Sequence, residues 1–322
     1  MADDTQQLSD HLQELVDGLL AGDDLALSRL LSHVEDREPG YRDVMSALSE
    51  HTGSARTIGI TGPPGAGKST VVDKLVLAFT ERGDSVGVVA VDPASPYSGG
   101  SILGDRIRQQ SHGTDVDLFF RSMSARNRSG GIVPATFDTV HALDAAGKDV
   151  VIVETVGSGQ SEVDVVTATD TVCVVLYPGG GDGIQASKAG LLEIADVFVV
   201  NKSDFDGADS LVHVLEEKIE LTETGEWISP ICNTVGTTGD GIDDLLTACT
   251  EHYSFLRRND RLERSRRSQF DREVRILVQE QLLNQFDQFY GDAIEAVDVD
   301  CPHVAATELL EQFDLQTDTF GP

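Results

Sequence analysis

Between residue 57 and about residue 250, short and nearly unbroken apolar runs alternate with stretches in which apolar residues recur every three or four positions. The runs fall at 57–61, 86–91, 117–120, 150–153, 171–176, 197–200 and 228–232. Several are almost all Val, Ile and Leu, as in strands buried on both faces of a parallel sheet. Helices covering both faces of such a sheet make a three-layer α/β domain. The flanks have a helical period instead. Leu8, Leu12, Leu15, Val16, Leu19 and Leu20 recur at spacings of three and four. Asp23-Asp24 is positioned to cap a second helix carrying Leu25, Leu27, Leu30 and Leu31. Pro39-Gly40 breaks the pattern, and a third short helix is predicted over 41–48. Past about residue 252 the helical period returns. Phe270, Val274, Leu277, Val278, Leu282, Phe286 and Phe289 form a stripe that marks core or a dimer seam. Glu308, Leu309, Leu310 and Phe313 fall on a last amphipathic helix. The expected organisation is a helical arm at 1–52, an α/β domain at 53–252 and a helical C-terminal region at 253–322.

The first strand of this pattern runs into a loop with chemistry. Gly62-Pro63-Pro64-Gly65-Ala66-Gly67-Lys68-Ser69-Thr70 fits G-x-x-x-x-G-K-[ST] and opens a predicted helix at 71–79. Glycines let the backbone approach phosphate oxygens, and successive N–H groups form an anion nest. The helix N-terminus adds partial positive charge. In such a loop Lys68 reaches the β- and γ-phosphates and Ser69 ligates Mg²⁺. Ligands in open parallel sheets sit at the carboxyl ends of strands. The other candidate residues follow strands in the same way: Asp92, Glu154 and Asn201.

Asn201-Lys202-Ser203-Asp204 is an N-K-x-D motif. The Asp204 carboxylate accepts from guanine N1–H and N2–H₂, a donor pair that adenine lacks, and loss of such paired contacts discriminates strongly. The Lys202 stem covers the base face, and Asn201 ties this loop to the phosphate loop. GTP is therefore expected over ATP. Asp92 ends a strand where a carboxylate holds Mg²⁺ directly or through water, beside Ser69. Glu154-Thr155-Val156-Gly157 stands in the place of D-x-x-G, whose glycine N–H senses the γ-phosphate. Ser158 follows Gly157, so the water-orienting Gln of Ras-type GTPases is absent there. Glu154 and Asp105 are the candidates to position water. The long loop at 91–106 and the glycine-rich loop at 177–185 read as switch segments, ordered by γ-phosphate and Mg²⁺.

Charge narrows the setting. The formal net charge is −31, and lysine occurs only at 68, 74, 148, 188, 202 and 218. An acidic surface disfavours nucleic acid, whose phosphates require basic partners. Abundant Asp and Glu with scarce Lys resembles proteins of salt-accumulating halophiles, in which molar salt shortens the Debye length to about 3 Å and screens self-repulsion. Instability in dilute buffer is the expected consequence. No apolar run approaches the roughly 20 residues of a membrane span. The start, Met1-Ala2-Asp3-Asp4-Thr5, lacks the basic and apolar parts of a signal peptide. Cys173, Cys232, Cys249 and Cys301 have no C-x-x-C spacing, and buried thiols are expected at Cys173 and Cys232. A cytoplasmic protein is expected. Arg257, Arg258, Arg261, Arg264, Arg266 and Arg267 read as a solvated helix face paired with acidic neighbours.

Taken together, G-P-P-G-A-G-K-S-T, the V-D-P and G-G-S-I-L-G-D-R segments, E-T-V-G-S-G-Q-S-E, P-G-G-G-D-G-I-Q and N-K-S-D resemble the methylmalonyl-CoA mutase-associated GTPases (MeaB, also called ArgK). The first and last motifs are common to many GTPases, and the three between them are specific. The resemblance implies a G domain of the SIMIBI class with mostly parallel sheet, an N-terminal helical arm and a C-terminal dimerisation region. It implies a GTPase that acts as a chaperone of an adenosylcobalamin-dependent acyl-CoA mutase, coupling GTP hydrolysis to cofactor loading and protection. It carries Lys68 and Ser69 to phosphate and Mg²⁺, Asp92 to the Mg²⁺ shell, Asp105 and Glu154 to hydrolysis, and Asn201, Lys202 and Asp204 to guanine. The loop at about 177–188 matches the segment that communicates with the mutase. One departure concerns Val235 and Gly236, which stand where the family has Ser and Ala in a base-contacting loop. Contacts to guanine O6 there fall to backbone N–H groups. Three other readings stay open: a metallochaperone GTPase, a transport-linked kinase or ATPase as in the older label, and a GTP-binding module with negligible turnover. The eight histidines are scattered, without metal-ligand spacing.

Overall fold

The apolar runs form a seven-stranded sheet of order β3-β2-β4-β1-β5-β6-β7 in a computed structural model of the chain. The structure describes residues 8–92, 117–124, 133–155, 169–179, 190–222, 225–294 and 301–317. The strands are β1 (Arg56–Thr61), β2 (Val86–Asp92), β3 (Leu118–Ser124), β4 (Val150–Thr155), β5 (Thr171–Leu176), β6 (Val197–Asn201) and β7 (Ile231–Thr234). Every strand pair is parallel. Among the described residues, the α-helices of the body are α4 (Lys68–Glu81), α5 (Val133–Ala145), α6 (Ala208–Thr222) and α7 (Ile242–Arg258). Alternation along each strand sorts side chains between two cores. Ile58, Ile60, Val88, Ile152, Cys173, Val175 and Val199 face α4 and α7. On the other face, Val89, Val91, Val151 and Val153 meet α5, and Val172, Val174, Leu176, Phe198 and Val200 pack with α6. This is the three-layer α/β architecture that the apolar runs imply.

The last strand begins later than its sequence run. Ile228 is exposed and outside the strand, and the ladder starts only at Ile231. Pro230 is the cause: it has no N–H to give the ladder, although its carbonyl accepts from Phe198 N at 2.9 Å. Cys173, Cys232 and Cys249 are buried free thiols and Cys301 is exposed. A hydrogen bond with Cys249, 3.5 Å away, and burial together push the Cys173 thiol up. Burial takes Cys232 to about 12. Cys173 and Cys232 therefore stay protonated and unreactive.

The arm is three helices, α1 (Asp10–Leu20), α2 (Asp24–Glu35) and α3 (Tyr41–Ser49). Ser9 accepts from Leu12 N at 3.4 Å and Asp23 from Leu25 N at 2.8 Å, so α1 and α2 begin on capping side chains, whereas α3 begins at Gly40 in a left-handed conformation without one. Their apolar faces, including Leu19, Leu27, Leu30, Leu31 and Val44, join the core of β2, β4 and α5. The junction between arm and body is polar. Asp144 of α5 accepts from the backbone N–H groups of Gly53, Ser54 and Ala55 at 2.6–3.1 Å.

After α7 the chain turns at Asp260, in a left-handed conformation, into the 33-residue helix α8 (Arg261–Ala293). Residues 302–317 form α9 (Pro302–Thr317). The arginine cluster is not simply a solvated face. Arg266 reaches back to Asp170, at the foot of β5, at 2.8 and 3.0 Å, and donates to the carbonyls of Gly53 and Ala55. Arg261 and Arg267 do pair with acidic neighbours at the surface. Further along α8, Glu273 pairs with His141 and Glu280 with Arg37, which also holds Asp138. Burial alone would lower His141, but the hydrogen bond and charge of Glu273 raise it. The apolar stripe is mostly not core within the chain. Phe270, Val274, Val278 and Leu282 are exposed, while Phe286 meets Phe313 of α9 edge-on and Phe289 meets it at a tilt. Among the described residues no helix is long and apolar enough to cross a membrane.

Candidate nucleotide site

β1 and β6 flank β5 in the sheet, and each ends in a loop on the same edge. The loop after β1 turns through Gly62 and Gly67, both at positive φ, before α4 begins at Lys68. These two glycines are required. A side chain on Gly62 would collide with the Val175 carbonyl, and one on Gly67 with Asn201 Nδ2. Gly67 is the N-cap of α4 and supplies no side-chain cap. The first-turn N–H groups of Lys68, Ser69 and Thr70 therefore point toward an anion site at the helix end.

Lys68 is 7% exposed, and its Nζ donates to Gly62 O at 2.7 Å and Pro63 O at 3.1 Å. A buried ammonium folded over the glycine loop lies on the path where a phosphate would enter. Ser69 Oγ donates to Glu154 Oε1 across the gap between α4 and the end of β4. Glu154 is 1% exposed. A hydroxyl and a buried carboxylate in contact form the kind of hard-oxygen donor pair that suits Mg²⁺. Asp92 ends β2, and β2 pairs with β4 from Val86↔Val150 to Val91↔Thr155, so its backbone leaves the sheet beside Glu154. Its side chain, together with Asp105 and Gly157, lies outside the described residues.

Asn201 joins the two loops. It is 2% exposed. Its Nδ2 donates to Ala66 O at 2.7 Å, and its Oδ1 accepts from Gly236 N at 2.9 Å and Thr234 Oγ1 at 3.2 Å. Lys202 follows at φ 57°, a conformation uncommon outside glycine. Its Nζ donates to Gly65 O at 2.8 Å, laying the stem over the phosphate loop. Asp204 is exposed on the same loop. Ser203 N and Oγ both donate to Thr234 O at 3.1 Å, which ties this loop to the end of β7.

Val235 and Gly236 depart from expectation. Their N–H groups, assigned from the sequence to guanine O6, are engaged within the protein. Val235 N donates to Asp240 O at 3.0 Å in a tight antiparallel bridge, and Gly236 N donates to Asn201. The short 235–240 turn closes on itself through the first donor, and Asn201 takes the second. Sequence reasoning did not single out Asp144 or Asp170, and it foresaw neither the distant partners of Arg266 nor the contact of the Tyr177 ring, in the 177–185 loop, with Lys202. For Tyr177 a signal was present: it is an aromatic residue directly after a strand that neighbours the phosphate-loop strand.

A phosphate loop on the central strand of a parallel sheet, tied by a buried asparagine to an N-K-x-D loop two strands away, defines a P-loop NTPase. The comparisons with known proteins agree. The family model described as Methylmalonyl Co-A mutase-associated GTPase MeaB matches residues 27–289. A putative GTPase of Pyrococcus horikoshii is 44% identical over 94% of this chain and 98% of its own length. GTPase ArgK of Escherichia coli is 33% identical over 89% of this chain and 91% of its own. A crystal structure described as LAO/AO transport system kinase superposes with a TM-score of 0.70 at 26% identity, covering 96% of this chain and all of that one. The chain belongs to the methylmalonyl-CoA mutase-associated GTPase (MeaB) family.

Proposed function

We propose that the chain hydrolyses GTP with Mg²⁺ and works as a G-protein chaperone of an adenosylcobalamin-dependent methylmalonyl-CoA mutase, coupling nucleotide state to cofactor loading and protection. The family's name supports the mutase as client. The observation that carries the nucleotide reading is Asn201, whose side chain bonds the phosphate loop and the turn after β7 at once. Lys68 and the first-turn N–H groups of α4 then stabilise charge on the departing γ-phosphoryl group. Ser69 and Asp92 would hold Mg²⁺, which when bound would supply charge neutralisation for the phosphates. Glu154 and Asp105 orient the attacking water, with Glu154 also accepting from the metal-ligating Ser69. Gly157 reads the γ-phosphate, Lys202 covers the base and Asp204 selects guanine.

The same reading assigns residues 1–52 to an arm, 53–252 to the G domain and 253–322 to a dimerisation region. It places two chains together through the exposed apolar stripe of α8, in the cytoplasm. The experiment is gel filtration of the chain with its organism's methylmalonyl-CoA mutase in concentrated KCl, with GDP or a non-hydrolysable GTP analogue. A complex whose affinity changes with the nucleotide supports the proposal. The absence of a complex in both states contradicts it.

A further inference from the structure

Tyr177 leaves the sheet directly after β5, the strand between β1 and β6. It therefore stands between the phosphate loop and the base loop, against Lys202 of the base loop and with its hydroxyl beside Gly65. The Lys202 ammonium lies 4.5 Å from the centroid of its ring. That ammonium also donates to Gly65 O at 2.8 Å. The Tyr177 hydroxyl lies 3.8 Å from the point where a Cβ on Gly65 would stand, so the ring edge reaches the tip of the phosphate loop. The next residue, Pro178, comes within 3.7 Å of the corresponding point on Gly207, just past the N-K-S-D segment.

Among the described residues, the Lys202 ammonium meets only the Gly65 carbonyl and the Tyr177 ring. The Lys202 backbone is fixed, with φ at 57° and its carbonyl accepting from Phe205 N at 3.0 Å. A lysine stem is flexible and its ammonium is a point charge without the directional fork of arginine. A carbonyl alone sets where the charge lies, and leaves the stem free to swing. An aromatic face beneath the ammonium removes that freedom, because the negative face of the ring attracts the cation.

We propose that Tyr177 is a positioning residue of the nucleotide site. Its ring holds the Lys202 side chain so that the stem lies along the base and the ammonium stays on the phosphate loop, which slows nucleotide release. The inference rests on reading this site as a guanine-nucleotide site. It also makes the start of the loop after β5 a mechanical part of the nucleotide grip, since a shift of Tyr177 moves Lys202.

The test is the release rate of fluorescent GDP, measured by stopped flow in concentrated KCl for the full chain. Cation–π contacts at partly exposed positions predict that Tyr177→Leu speeds release about two- to fivefold. Tyr177→Phe keeps the aromatic face and restores the slow rate. In a Lys202→Met background, where no cation remains, Tyr177→Leu changes the rate by less than about 1.5-fold. If the Leu variant does not fold, Tyr177→Met serves in the same cycle. Release from Tyr177→Phe as fast as from Tyr177→Leu overturns the proposal. So does an equal effect of Tyr177→Leu with and without Lys202, because the ring then acts through packing alone. A wild-type chain that binds no fluorescent GDP refutes the nucleotide site itself, which separates that failure from this one.

Discussion

Asn201→Ala removes a side chain that bonds the phosphate loop and the 235–240 turn together. Three partners lose their contact: Ala66 O, Gly236 N–H and Thr234 Oγ1. Ala66, Gly236 and Thr234 are buried. Each unpaired buried group costs about 1–3 kcal/mol. Water entering at the loop surface offsets part of this, so the expected loss is about 3–5 kcal/mol. For a domain of this size that lowers Tm by roughly 6–15 °C. A second perturbation strikes the same contact from the opposite side. Gly67→Ala drives a methyl into Asn201 Nδ2 and strains a residue at φ 85°. Once Asn201 is gone the collision is gone too, so the double variant is less destabilised than the sum of the two single variants. Thermal unfolding of the four proteins in one KCl concentration, followed by circular dichroism, measures the cycle. GDP affinity by calorimetry falls in parallel, because the two loops no longer share a fixed spacing. A Tm for Asn201→Ala within about 2 °C of wild type, or full additivity with Gly67→Ala, refutes the reasoning.

Other residues give independent tests. Arg266→Ala leaves the Asp170 carboxylate, 1% exposed, without its cation. Breaking a buried pair costs about 3–5 kcal/mol, and Arg266 is 25% exposed, so about 2–3 kcal/mol is expected in urea unfolding; a change under about 0.5 kcal/mol contradicts the assignment. His252, tilted against the Trp227 ring and 2.9 Å from Thr171 Oγ1, is lowered by burial to about 4. A depressed histidine contributes stability that is full above its unfolded value of 6.5 and is lost as pH falls from there toward 4. Between pH 7 and 4.5 the wild type therefore loses roughly 2–3 kcal/mol more than His252→Gln in parallel urea titrations, and identical profiles contradict this. Asp204→Asn shifts preference from GTP toward xanthosine triphosphate in competition binding; an unchanged preference removes Asp204 from base reading.

The sheet was legible because its strands are buried on both faces and their apolar runs are continuous. The run at 228–232 misplaced β7 because Pro230 cannot join the ladder from the N–H side. The phosphate loop and N-K-S-D were legible because their chemistry is local: consecutive residues make the nest and the base loop. The bond from Asn201 to Ala66 followed from the same logic. The use of the Val235 and Gly236 N–H groups did not, since it depends on how the 235–240 turn closes. Asp144 and Asp170 were unreadable for a different reason. One carboxylate holds three N–H groups of a junction about 90 residues earlier, and the other meets an arginine 96 residues later. Nothing in local pattern marks such partners. The α8 stripe was visible as a pattern, but whether it faced its own chain was settled only by the packing.

The central claim is a GTPase whose turnover answers to a cobalamin mutase, and steady-state phosphate release from GTP tests it most directly. The assay uses concentrated KCl and Mg²⁺, with wild type and Lys68→Ala, with and without the organism's methylmalonyl-CoA mutase. The account predicts slow turnover that rises when the mutase is added and is lost in Lys68→Ala. Turnover that is the same with and without the mutase, or that survives in Lys68→Ala, contradicts it.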